Sequence, residues 1–236
     1  MSELKAVIQA GGRGTRLAPY STVLPKALMP IGEGTVIDSL LDQFSAAGVS
    51  SVLITVSKFG PLIRSYCGDG SRWGMEIEYI TESEPLGTIG PLSPLRDRLD
   101  GPFFVTNSDV ATDLALKDVL AAYEPNPAPL TVVVTRQTVG IAYGVLDHAA
   151  GQATGFREKP TEEFWVSTGI YLMDPDVFDH IPPHAPFGFD QLMRSMLASG
   201  TRINVFEHEG RWTDIGRIED LRRAQEQAAA TLVDRR

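Results

Sequence analysis

Short apolar runs alternate along the first half of the chain with stretches whose apolar positions recur every three or four residues. The run at 4–8 leads into a glycine-rich turn, and runs at 51–56, 75–80 and 102–106 share its character. The first, apolar and rich in β-branched residues, reads as a buried strand of a parallel sheet, and the others as further strands. Between them Val36, Ile37, Leu40, Leu41 and Phe44 recur at helical spacing, with Gly48 as a C-terminal stop. Helix-compatible segments also lie near 61–66 and 89–99. The alternation predicts right-handed βαβ units and an α/β fold. If the first three strands wind outward to one side and the fourth pairs with the first on the other, the order reverses between strands one and four. A sheet of this kind takes its ligand in the crevice at such a reversal.

Beyond about residue 130 the pattern turns richer in β-structure, with strands expected at 130–135, 143–146, 155–158 and 164–173. A helix near 191–198, a strand at 203–206 and an amphipathic helix from Ile218 follow, the last with Leu221, Ala224, Ala228 and Leu232 on one face. Nothing like a Pro/Ser linker divides the 236 residues, so 1–236 reads as one domain with parts at about 1–130, about 131–216 and 217–236.

The chemistry concentrates in QAGGRGTRLAPYSTVLPK, Gln9 to Lys26, directly behind the first strand. Gly11, Gly12 and Gly14 offer backbone N–H groups unobstructed by Cβ, and Arg13 and Arg16 add permanently charged forks. Phosphate oxygens suit both kinds of donor. A P-loop is excluded, since no Gly-Lys-Ser/Thr follows at the required spacing, and Arg16 and Leu17 stand where a dinucleotide fingerprint needs its third glycine. Asn107-Ser108-Asp109 leaves the same end of the fourth strand, so the predicted topology sets an acidic residue opposite a phosphate loop.

A formal charge of −9 argues against nucleic acid or an anionic membrane as partner and requires any attraction of polyanions to be local. Cys67 is the only cysteine, which removes intrachain disulfides and cysteine-based metal clusters and suits a reducing cytoplasm. With no secretory h-region and no apolar stretch of about 18 residues, the expected location is cytoplasmic. His148, His180, His184 and His208 lack metal-ligand spacing and receive no catalytic role.

GGRGTRL with Pro25-Lys26 resembles the signature of the sugar-1-phosphate nucleotidylyltransferases. Further matches follow in family order: GDGSRWG (68–74), EPLGT (84–88), NSD (107–109), EKP (158–160), STGIY (167–171) and WTDIG (212–216). In appearance the chain is closest to mannose-1-phosphate guanylyltransferase-like catalytic domains. The resemblance implies a Rossmann-like three-layer α/β/α domain with a mainly parallel mixed sheet and a β-rich sugar-binding portion. No left-handed β-helix is expected, because hexapeptide repeats are absent.

The reaction so implied is in-line attack of a sugar 1-phosphate on the α-phosphorus of a nucleoside triphosphate, giving a nucleotide-diphosphate sugar and pyrophosphate with Mg²⁺ as cofactor. The attacking phosphate has its second pKa at about 6 and needs no protein base. Carried over residue by residue, the resemblance assigns nucleotide binding to Ala10, Gly11, Gly12, Arg13, Gly14, Thr15, Arg16, Glu84, Gly87, Thr88 and Asn107. It assigns sugar binding to Tyr143, Gly144, Glu158, Lys159, Ser167 and Gly169, and metal to Asp109 and Asp214. Arg16, Lys26, Asp109, Lys159 and Asp214 would carry the catalysis.

An acceptor-only carboxylate such as Glu84 could satisfy the N–H donors of guanine, whereas uracil and thymine present carbonyls there. That favours GTP, and the resemblance implies a mannose- or heptose-type sugar. The same chemistry with dTTP, UTP or CTP and glucose 1-phosphate stays open, as do a non-catalytic nucleotide-sugar-binding regulatory subunit and a homo-oligomer. Ser21, Ser108 and Ser167 depart from the family's threonine, glycine and asparagine, and the last change leaves the sugar's identity open.

Overall fold

A computed structural model describes residues 3–12 and 14–234, with the backbone alone at Thr15 and 231–234. The chain runs through β1 (Lys5–Ala10), a small hairpin of β2 (Pro30–Ile31) and β3 (Gly34–Thr35), α1 (Val36–Ala46), β4 (Ser51–Val56), α2 (Gly60–Cys67), β5 (Glu76–Thr81), β6 (Phe103–Asn107), β7 (Val110–Thr112) and α3 (Leu116–Tyr123). It continues through β8 (Leu130–Gly140), β9 (Val145–Ala149), β10 (Gln152–Arg157), β11 (Thr161–Met173), α4 (Phe189–Ala198), β12 (Ile203–His208), β13 (Trp212–Asp214) and α5 (Ile218–Asp234).

Seven strands make one mixed sheet in the order β12-β8-β11-β6-β1-β4-β5. β4 and β5 continue in parallel from one side of β1, and β6 pairs in parallel on its other side. The order therefore reverses beside β1, where the sequence pattern put it. β11 lies antiparallel between β6 and β8, and β12 is parallel to β8, so one sheet runs through both halves of the chain.

Alternation along β1 supplies two cores at once. Ala6, Ile8 and Ala10 pack with Ile37, Leu41 and Phe44 of α1 on one face. Val7 packs with Leu92 and Leu95, and with Leu192 and Met196 of α4, on the other. This two-sided cover is why Ala6, Val7 and Ile8 are all apolar and fully buried. α1 begins at a reciprocal cap: the Asp38 N–H donates to Thr35 Oγ1 at 3.3 Å and the Thr35 N–H to the Asp38 carboxylate at 2.8 Å.

Two local readings differ from the sequence expectation. Residues 89–99 form a 3₁₀-helix, Gly90–Arg98, because Pro94 inside it lacks the N–H that α-helical bonding needs. α3 was not anticipated, although Leu116, Val119 and Tyr123 are spaced for it and buried. On α5, Leu221 and Ala224 are buried as the amphipathic pattern predicts, and the Leu232 side chain lies outside the described residues. Cys67 is buried, which pushes its thiol up to about 12. Among the described residues no helix is long and apolar enough to cross a membrane.

Beyond the sheet, β8 and β11 continue as a two-stranded ribbon, 136–140 against 161–165, exposed on both faces. The β9–β10 hairpin belongs to this arm.

Candidate active site

The loop leaving β1 folds back on itself. Gly14 has φ +61, and a Cβ there would stand 3.0 Å from Cγ of Lys26, so the turn requires glycine both for its backbone and for room. Two short 3₁₀ turns, Thr15–Leu17 and Lys26–Leu28, return Arg16 and Lys26 toward the switch point. Arg13 lies outside the described residues. Lys26 Nζ meets Asp109 Oδ2 at 2.7 Å, both side chains less than one-fifth exposed. Ser108, where the family carries glycine, is buried, and its N–H donates to the Gln9 carbonyl at 3.1 Å. Its φ is not positive, so the serine meets no backbone penalty there.

β13 brings the second aspartate from 105 residues further along the chain. It pairs antiparallel with β7, setting Asp214 opposite Val110, and the Ile215 N–H donates to the Asp109 carbonyl at 2.8 Å. A Cβ on Gly216 would lie 3.6 Å from both the Arg16 guanidinium and the Asp214 carboxylate, which places those two groups together. Burial raises the Asp214 carboxyl above the usual range, and the Asp109 charge adds to the rise; Lys26 and Arg16 oppose it. Two carboxylates that feel each other's charge, one of them already drawing a cation, are the residues here that could hold a divalent ion.

A bulge in β11 joins this cluster to the STGIY segment. Between Ser167 and Tyr171 the register against β8 slips, and the Trp212 indole N–H donates to the Thr168 carbonyl at 2.9 Å. Gly169 in the bulge has φ +78, and a Cβ would stand 2.6 Å from Asn107 Nδ2. Asn107 and Gly169 are thereby in contact range across β6 and β11. Ser167 is exposed and its hydroxyl donates to the Tyr171 hydroxyl at 3.3 Å.

Arg16, Lys26, Asp109 and Asp214 thus converge, whereas Tyr143, Gly144, Glu158 and Lys159, the other residues expected to bind the sugar, lie on the arm. A Cβ on Gly144 would meet the Phe156 ring and lie 3.1 Å from Glu158 Oε2. Glu158 and Lys159 are exposed, Tyr143 is 78% exposed, and no ion pair among the described residues joins Lys159 to the cluster. The GDGSRWG motif falls at the opposite end of the sheet, before β5, where Arg72 pairs with Asp38 of α1 and covers the Trp73 ring. It is a docking turn, away from the site.

Sequence reasoning singled out Glu84, which is exposed, and missed Glu82. Glu82 follows β5, and its carboxyl lies where a Cβ on Gly11 would be, against the glycine loop. Burial raises its pKa above the usual carboxylate range. Alternation from Ile80 was the available signal, since residues two apart share a strand face.

Fold and site together define an α/β protein that presents a glycine-rich loop, two cations and an acidic pair at a sheet's switch point. The chain belongs to the nucleotidyl transferase family, whose model matches residues 5–231. It is 33% identical over 227 residues to a mannose-1-phosphate guanyltransferase of Schizosaccharomyces pombe, covering 92% of this chain and 62% of the relative. A mannose-1-phosphate guanylyltransferase catalytic subunit beta of Dictyostelium discoideum is 32% identical over 225 residues with the same coverage. The chain therefore spans about three-fifths of the length of these relatives. HddC from Yersinia pseudotuberculosis superposes with a TM-score of 0.74 at 23% identity, covering 94% of this chain and 98% of its own. The same protein complexed with GMP-PN gives 0.72. At that identity the likeness speaks to the fold alone.

Proposed function

We propose that the chain catalyses transfer of a nucleotidyl group from GTP to a mannose-type sugar 1-phosphate, releasing pyrophosphate. The observation that carries this reading is the convergence of the glycine loop, Arg16, Lys26, Asp109 and Asp214 at one end of β1. The relatives' names supply the substrates, and the chemistry of the site agrees with them.

Positioning and charge neutralisation dominate such a transfer. Backbone N–H groups of the loop hold the triphosphate, and Arg16 neutralises charge that builds on the departing pyrophosphate. Lys26, released from Asp109, reaches the reacting phosphates; contacts of this kind matter most in the transition state. Asp109 and Asp214 would hold Mg²⁺, which when bound supplies charge neutralisation between phosphate oxygens. Glu158, Lys159 and Ser167 would take the sugar phosphate and its hydroxyls, the arm closing on them.

Glu82 supports guanine. A carboxylate accepts two N–H bonds from guanine's Watson–Crick edge, while the carbonyls of uracil or thymine would face it unfavourably. Pyrophosphate release measured for GTP, UTP, dTTP and CTP against mannose, glucose and heptose 1-phosphates tests the whole reading. GTP with mannose 1-phosphate should give the highest kcat/KM, and Glu82→Gln should narrow the preference for GTP over UTP by at least about tenfold. Nucleotide-sugar binding without pyrophosphate release from any pair would replace the enzyme with a regulatory subunit.

A further inference from the structure

Gln9 is a polar residue near the C-terminal end of β1, and on the face it shares with Val7 it reaches the loop that carries Glu84, Gly87 and Thr88. Its Nε2 donates to the main-chain carbonyl of Thr88, 79 residues away. Its Oε1 is buried with no partner among the described residues. A buried amide with an orphaned acceptor is costly where methionine would fill the same space without penalty. The contact with Thr88 is what the amide provides that an apolar side chain cannot.

The same loop is held on its far side by the segment leading into α4. The Phe187 N–H donates to the Leu86 carbonyl at 2.9 Å, and the Ile89 and Gly90 N–H groups both donate to the Phe187 carbonyl at 2.9 Å. The Phe189 N–H donates to Thr88 Oγ1 at 3.0 Å. The loop thus hangs between α4 and β1, and Gln9 supplies its bond on the β1 side. Glu82, the carboxylate that would read the base, stands across the same crevice against Gly11.

We infer that Gln9 is a positioning residue for nucleotide selection: by fixing the Thr88 carbonyl it sets where the 84–88 loop lies over the bound nucleoside, and so how well GTP is told from pyrimidine triphosphates. The inference rests on the proposed reading in taking this loop as the nucleotide's. Because Gln9 bonds to the main chain of that loop, its effect falls on the nucleotide and spares the sugar phosphate.

Gln9→Met keeps length and volume and removes the donor; Gln9→Asn stays polar and falls short of Thr88. KM for GTP should rise about tenfold in each, on the scale of one lost hydrogen bond, and the GTP:UTP ratio of kcat/KM should fall at least about fivefold. KM for mannose 1-phosphate should stay within about twofold. A general loss of structure would lower Tm and spread across all substrates without moving the ratio. Nucleotide KM and the GTP:UTP ratio both unchanged in folded Gln9→Met would overturn the inference, and so would failure of both variants to fold, which would assign Gln9 to the core. If the wild type releases no pyrophosphate with any nucleotide, the enzymatic reading alone fails. Calorimetric binding of GTP and UTP to wild type and Gln9→Met then decides the role of Gln9.

Discussion

Asp214 occupies a place that is bad for a carboxylate and good for chemistry. Its pKa is raised by burial first and by Asp109 second, so the folded chain holds this proton more tightly than the unfolded chain does. Stability from that proton is present below the unfolded value of about 3.9 and is lost as pH rises through the folded one. Above the folded value the ionised side chain is a liability to the metal-free protein. Asp214→Asn should therefore raise Tm, by a margin that widens between pH 4 and pH 7 in calorimetric scans. The same variant should lose at least about a hundredfold in pyrophosphate release, the scale of one charge-stabilising group at a reacting centre. Lys26→Met should do the opposite to stability, costing about 1–3 kcal/mol in urea titrations by stranding the Asp109 carboxylate, and should also lose activity. That Arg16, Lys26, Asp109 and Asp214 would lie together was legible in the sequence because each sits in a short motif and the predicted winding brings the glycine loop and Asp109 to one end of the sheet. Glu82 was not legible: its partner surface is Gly11, on another strand, and only the sheet brings them together.

At the scale of elements, the bulge in β11 shows how a motif becomes geometry. Gly169 combines a left-handed φ with contact to Asn107, so Gly169→Ala should cost about 1–3 kcal/mol for the backbone alone. It should also push Asn107 away; chemical denaturation together with KM for both substrates reads the two effects. Strand order around β1 was legible because strand-like runs alternating with helix-compatible segments leave few windings open. The 3₁₀ character of Gly90–Arg98 needed more weight on Pro94, whose missing N–H decides against the α form. The short pair β7–β13 gave almost no periodic signal, since three residues per strand cannot establish one. Only the WTDIG motif marked the place.

Across the whole molecule, order is unevenly supported. The centre of the sheet carries a core on each face, while the ribbon at 136–140 and 161–165 and the β9–β10 hairpin rest mostly on their own pairing. Isolated two-stranded ribbons are marginal in water. Amide hydrogen exchange should accordingly be fast across residues 136–165 and slow in β1, β4 and β6, with opening of the arm well below the free energy of global unfolding. Uniform protection through both regions would contradict this picture. The arm's sequence does carry its strands, but nothing in their alternation told that 136–140 would stand clear of the sheet. The β7–β13 pair has a further consequence for how the molecule comes into being. All seven strands of the main sheet are in hand once His208 has been made, yet Asp214 has still to follow and dock beside Asp109. A chain that stopped in that interval would hold every strand of the main sheet and lack the second carboxylate beside Asp109.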